Sequence, residues 1–119
     1  MPDTQKNFHK KLLGRSGEAK AVNYLKKRGY KILERNYSTA LGETDIIARQ
    51  GDVLVFIEVK TRTDDIFGRP SEAVTYRKQN KYRLMAMQYT VKENLYDKPV
   101  RFDGIEILDG EINHIENAF

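Results

Sequence analysis

The chain has no cysteine among its 119 residues. That absence excludes disulfide staples, thiolate nucleophiles and cysteine-ligated zinc, and it fits a reducing compartment. Histidine is nearly as scarce: His9 and His114 are the only two, which leaves little room for a zinc site. No apolar run approaches the roughly 20 residues that a membrane-crossing helix needs. The stretch from Met1 to Lys11 carries Lys6, Lys10 and Lys11 but lacks the apolar segment of a secretory signal. These absences predict a cytoplasmic protein without membrane association. Repeats, linkers and low-complexity segments are missing too, and the length suits one domain. Residues 1–13 read as a flexible basic arm and 14–119 as the folded domain.

What is present is a globular composition, 39% hydrophobic and 32% charged, with 12 aromatic residues. The net charge of +4 conceals an uneven layout: residues 1–40 carry +7, 41–70 carry −2, 71–100 carry +3 and 101–119 carry −4. Basic stretches flank an acidic middle, a pattern that suits a polyanion held around a small acidic patch. Solvated helix faces would give the same pattern.

Hydrophobic periodicity predicts the order αβββαββ, an α/β domain with a mixed central sheet flanked by helices. A first helix runs from about Gly14 to Arg28 and stops at Gly29. At about 100° per residue, Glu18 falls in the middle of the apolar stripe formed by Ala21, Val22 and Leu25. Strands follow over Tyr30 to Tyr37 and Glu43 to Arg49, and the turn Gln50-Gly51-Asp52 predicts a hairpin with the next segment. Val53-Leu54-Val55-Phe56-Ile57 has no polar interruption, so it should be buried on both faces and central. It continues into Glu58-Val59-Lys60. A loop from Thr61 to Pro70 precedes a long helix that Ser71 should cap and that should end near Asn94, with Ala73, Val74, Met85, Ala86 and Tyr89 inward. Arg101 to Leu108 and Glu111 to Glu116 complete the pattern around the turn Asp109-Gly110.

Strand alternation puts Glu58 and Lys60 on the face of Leu54 and Phe56, near the end of the central strand. With the hairpin centred on Gly51, the residue opposite Asp45 is about 57, which makes Asp45 and Glu58 neighbours. Two carboxylates at a half-buried site disfavour each other's ionisation. A divalent cation would relieve that repulsion, and Asp45, Glu58 and the Val59 carbonyl are the hard oxygen donors that Mg²⁺ or Mn²⁺ prefers. Lys60 is placed to orient or deprotonate a water, or to neutralise charge on a phosphorus centre. Glu18 could join from the helix. Taken singly, Glu58 and Lys60 also read as an ion pair on an exposed strand end, and Asp45 as a turn acid. Together they are three departures from a core pattern, and such departures concentrate at functional sites.

An Asp, then Glu-x-Lys on the following strand, preceded by a Glu on the first helix, resembles the PD-(D/E)xK nuclease superfamily, and within it the archaeal Holliday junction resolvases. From about Gly14 to Phe119 the chain is similar to the bacterial UPF0102 (YraN-like) family. The matching pieces are Gly14-Arg15-Ser16-Gly17-Glu18, Asn36, Gly42-Glu43-Thr44-Asp45, Phe56 to Arg62, Phe67-Gly68-Arg69-Pro70, Lys78, Arg101-Phe102-Asp103 and Ala118-Phe119. Thr44 departs from the aliphatic residue usual there. The resemblance implies a restriction-endonuclease-like core and a metal-dependent phosphodiesterase-like site. Carried over by position, Asp45 and Glu58 become metal ligands, Lys60 the catalytic lysine and Glu18 an accessory acid.

Candidates for nucleic-acid contact are Arg15, Arg62, Arg69, Arg77, Lys78 and Lys81. Lys78, one turn past Val74 on the inward side of the helix, could meet phosphate or the site, or snorkel from the helix edge. Tyr37, Tyr76 and Tyr82 could stack on unpaired bases or sit at the edge of the core. None of these residues reads sequence, which suits structured or branched DNA. Two functions follow: a Mg²⁺-dependent endonuclease acting on such DNA, or a nucleic-acid- or partner-binding module with a nuclease fold and little turnover. Cutting a four-way junction symmetrically would require two sites and hence a homodimer.

Overall fold

The computed structural model describes residues 17–62 and 75–119. The expected arm over 1–13, and Arg15 and Arg69, lie outside the described residues. Among the described residues, five strands form one sheet in chain order: β1 (Lys31–Thr39), β2 (Gly42–Gln50), β3 (Val53–Arg62), β4 (Val100–Leu108) and β5 (Glu111–Ile115). Helix α1 occupies residues 17–27, and α2 spans Tyr76–Lys92. β1, β2 and β3 are an antiparallel meander, β4 is parallel to β3, and β5 returns antiparallel to β4. The parallel step follows from the long connection containing α2, because a tight hairpin can only reverse the chain. This is the αβββαββ mixed α/β domain that the periodicity predicts.

The uninterrupted apolar run of β3 behaves as expected: Leu54, Val55, Phe56 and Ile57 are all 0% exposed. Because successive side chains point to opposite faces, they divide between two cores. Val55 and Ile57 join Ile46, Ala48, Ile105 and Ile107 beneath Ala21, Val22 and Leu25 of α1. Leu54 and Phe56 join Ile47 beneath Ala86 and Tyr89 of α2. The sheet is therefore covered on both sides, and the functional question moves to its ends.

Element ends differ from the sequence reading in informative ways. β3 continues through Thr61 and Arg62, which the sequence assigns to a loop, because its parallel ladder with β4 runs on to the pair Arg62↔Leu108. The cap of α2 is Thr75, not Ser71: the Thr75 hydroxyl accepts a hydrogen bond from the Lys78 amide at 3.2 Å. Ser71, Ala73 and Val74 lie outside the described residues. α2 ends at Lys92 with Asn94 in the left-handed region (φ 57°), a usual device for stopping a helix. At the start of α1, a Cβ on Gly17 would overlap the Thr61 hydroxyl, so the helix approaches β3 only because no side chain stands there.

Candidate functional site

The β2–β3 hairpin closes through Gly51 at φ 57°, and its ladder runs from Gln50↔Val53 to Ile46↔Ile57. Continued by one pair, that register sets Asp45 beside Glu58, one residue further along than a hairpin centred on Gly51 gives. The contact is specific: Asp45 Oδ2 accepts a hydrogen bond from the Val59 amide at 2.7 Å. Burial nevertheless pushes the Asp45 carboxyl above its ordinary range; the Val59 amide opposes that shift, while the nearby charges of Glu58 and Glu18 add to it. The anticipated repulsion between acids thus adds to the larger effect of burial at Asp45.

Glu58 has a different environment. Its side chain is only 10% exposed, and its Oε1 receives two ammonium groups, Lys60 Nζ at 3.2 Å and Lys78 Nζ from the first turn of α2. Alternation along β3 turns Glu58 and Lys60 toward the α2 side, where Lys78 reaches over from the helix. Lys78 therefore meets the site rather than snorkelling away from it. The simple expectation that Glu58 is destabilised by its neighbour is replaced by a carboxylate held between two cations.

These groups line a cleft of about 390 Å³ at the end of the β2–β3 hairpin, walled by Asp45, Glu58, Val59 and Lys60 from the sheet and by Lys78, Lys81 and Tyr82 from α2. Tyr82 is only 4% exposed, its ring edge-on to Phe102 and Phe119 at 6.3 and 5.1 Å. Its hydroxyl is pushed well above the usual phenol range by burial and then by the charges of Glu58 and Asp45. Tyr37 is likewise packed, edge-on to Tyr89 at 5.3 Å. The buried Tyr82 ring is not free to stack on a base, whereas Tyr37 is partly buried. Tyr76, 74% exposed at the start of α2, is the one of the three that keeps an open ring.

Glu18 sits apart from the cleft wall. It is buried, and its Oε1 accepts from Arg35 Nε at 3.2 Å and from the Asn36 side-chain amide at 3.1 Å. Asn36 adopts φ 52°, a conformation asparagine tolerates better than most residues, next to the point where β1 passes Asp45 in register. Glu18 thus acts on Asp45 through its field. Of the basic candidates, Lys78 and Lys81 line the cleft, Arg77 is exposed beside them on α2, and Arg62 ends β3 away from the cleft wall. Thr44, the departure from the family pattern, is buried and donates to the Ile57 carbonyl at 3.3 Å across the hairpin.

Among the described residues, no group of three or more Asp, Glu, His or Cys side chains is placed to hold a metal ion. Beside the exposed Glu43, the donor set at the cleft is the carboxylates of Asp45 and Glu58 and the Val59 carbonyl. All are hard oxygen donors, a set that fits Mg²⁺ or Mn²⁺, ions that take one or two carboxylates and fill other positions with water and phosphate. Lysine ammonium groups on the facing wall would suit a phosphodiester there.

A second polar cluster, unforeseen from the sequence, lies on the α1 side of β4. Asp103 is 0% exposed and accepts from Arg101 through Nε to Oδ1 and Nη2 to Oδ2, both at 2.9 Å. His114 Nε2 lies 2.7 Å from Oδ2, and the Asn117 amide donates to Oδ1 at 3.1 Å. Arg101 also donates to Gln50 and to the Tyr30 hydroxyl. Burial alone would raise the Asp103 carboxyl, but the hydrogen bonds from His114, Arg101 and Asn117 hold it below its ordinary range. The Arg101-x-Asp103 spacing, which puts both side chains on one face of a strand, was the available signal.

With this geometry the chain can be compared with known proteins. A UPF0102 protein of Thermodesulfovibrio yellowstonii is 50% identical over 107 residues, covering 90% of this chain and 95% of the relative. One from Clostridioides difficile is 49% identical over 108 residues, 89% and 95% of the two chains. One from Alkaliphilus oremlandii is 50% identical over 115 residues, 92% and 98%. The family model described as "Uncharacterised protein family UPF0102" matches residues 17–107, a span that contains Glu18, Asp45, Glu58, Lys60 and Lys78, and the chain belongs to that family.

Proposed function

We propose that the protein is a Mg²⁺- or Mn²⁺-dependent endonuclease that hydrolyses phosphodiester bonds in structured or branched DNA. The observation that supports this most is the convergence of Asp45, Glu58 and Lys60 at one open cleft whose opposite wall carries Lys78 and Lys81. Asp45, Glu58 and the Val59 carbonyl would hold the cation, which when bound supplies Lewis-acid stabilisation and a more acidic water. Lys60 has its ammonium at this carboxylate and can orient the attacking water or balance charge growing on the phosphate oxygens. The cationic α2 wall would grip the backbone of the nucleic acid without reading its bases.

The second reading, a binding module with little turnover, is favoured by one observation: Lys60 and Lys78 already neutralise Glu58 from within the protein. A panel of labelled duplex, flap, four-way-junction and single-stranded substrates, each with Mg²⁺ and Mn²⁺, separates the two. The endonuclease reading expects cleavage by the wild type and its loss in Lys60→Ala, with the fold and DNA affinity nearly intact. A wild type that binds these substrates and cuts none, across both metals and pH, establishes the binding module instead. Cleavage of the junction alone would call for a homodimer, checked by light scattering of the complex.

A further inference from the structure

Glu58 Oε1 is bonded by two ammonium groups at once. Two like charges on one oxygen repel each other, so holding both is worth less than twice one of them. Their tethers differ. Lys60 lies two residues along the same strand as Glu58, so strand geometry keeps its ammonium nearby. Lys78 comes from the facing helix, where its amide is fixed by the Thr75 cap while its side chain, 40% exposed, crosses to the sheet. Lys78 lines the same cleft as Lys81, one helical turn further along α2.

Resting on the metal-dependent reading of this cleft, we propose that Lys78 is an exchangeable counter-ion: it neutralises Glu58 when no divalent cation is bound, and it turns to a nucleic-acid phosphate when Glu58 becomes a ligand. The carboxylate is then never left buried and unpaired, a state that is expensive in a low-dielectric site. The lysine is also withheld from phosphate until the site is loaded. Lys78 in this role is a positioning residue that couples metal binding to polyanion binding. Such coupling is reciprocal: whatever frees Lys78 strengthens the grip on phosphate, and phosphate that captures Lys78 frees Glu58 for the cation.

The test uses Lys78→Met and Lys81→Met in the full chain. Mn²⁺ titration calorimetry without DNA should show Lys78→Met binding the ion more tightly, by about fivefold or more, since a competitor for Glu58 has gone. Anisotropy of a labelled flap oligonucleotide should show Lys78→Met equal to wild type in EDTA and weaker, again about fivefold, in Ca²⁺, a hard cation with the same ligand preference. Lys81→Met should be weaker under both conditions. Thermal melts confirm that each variant is folded, and Lys78→Gln replaces Lys78→Met if the latter is not. Equal Mn²⁺ affinity in wild type and variant, or a DNA defect that is the same with and without Ca²⁺, overturns the exchange while leaving the metal site standing. A wild type that binds no Mn²⁺ at millimolar concentration overturns both.

Discussion

Two aspartates on this sheet, Asp103 buried and Asp45 half-buried, are treated in opposite ways. Asp103 has no exposed surface, yet both of its oxygens are filled by protein donors, and its carboxyl is held below its ordinary range. Asp45 receives one backbone amide and faces two other acids, and its carboxyl is pushed up. Satisfaction, rather than depth, decides which charge the fold stabilises. The first site fastens the chain: through Asn117 it pins the segment after β5, where the Ala118 amide bonds to the Phe102 carbonyl and Phe119 stacks on Phe102. The second leaves electrostatic strain at a cleft, where an added cation would relieve it.

The largest effect should come from breaking the satisfied site. Asp103→Asn removes the closer anionic partner of the Arg101 guanidinium, only 14% exposed, leaves it Glu116 at 3.8 Å, and should lower unfolding stability by about 3 kcal/mol, the low end for a broken buried pair. Urea denaturation measures it; a loss under ~1 kcal/mol would mean that the network is not a clasp.

The same change at the other aspartate should act in the reverse direction. Asp45→Asn keeps an acceptor for the Val59 amide and removes a charge that burial and two acids oppose, so it should stabilise the protein at neutral pH by about 0.5–1 kcal/mol, the scale of single stabilising substitutions. Loss of stability in Asp45→Asn would show that the carboxylate is held by something stronger than the contacts described.

The pH dependences should also oppose each other. Asp103, lowered in the folded state, contributes stability that is complete above its ordinary value of 3.8 and is lost as pH falls through its folded value. Asp45, raised in the folded state, imposes a penalty at neutral pH that fades as pH falls through its folded value toward the ordinary 3.8. Stability curves of the two Asn variants against wild type should therefore converge from opposite sides on acidification.

The smallest change tests the rim of the clasp. Tyr24→Phe removes only the hydroxyl that meets His114 Nδ1 at 3.2 Å, while the ring contact with His114 remains, so it should cost about 0.5–1 kcal/mol. An effect as large as that of Asp103→Asn would relocate the clasp from the carboxylate to the histidine.

The difference in legibility between the two regions has a physical cause. The cleft could be read because its residues are close in the chain: a turn at Gly51 sets the register of β2 on β3, and period-two alternation fixes the face of Glu58 and Lys60. The observed register differs by one residue from a hairpin centred on Gly51, because Gly51 and Asp52 form a two-residue turn and the centre falls between them. Helical periodicity puts Glu18 on a buried stripe, but its engagement by Arg35 and Asn36 depends on how α1 lies across β1. The Asp103 cluster leaves no such local pattern. Its members, Tyr24, Tyr30, Gln50, Arg101, Asp103, His114 and Asn117, are spread over nearly the whole chain and share no period.

The element order, the central place of β3, the two-sided core and the pairing of Asp45 with Glu58 are all written in the order of residues. Those properties follow from local periodicity and from a tight turn, both of which act over a few residues. Packing between elements is what brings Lys78 to Glu58, seals Tyr82 beneath Phe119, turns Glu18 to β1, and leaves one aspartate fully bonded and the other not. Those outcomes depend on where separate elements come to rest against each other. Hydrogen-bond geometry and burial at such junctions are set by packing between segments that carry no record of one another in the order of residues.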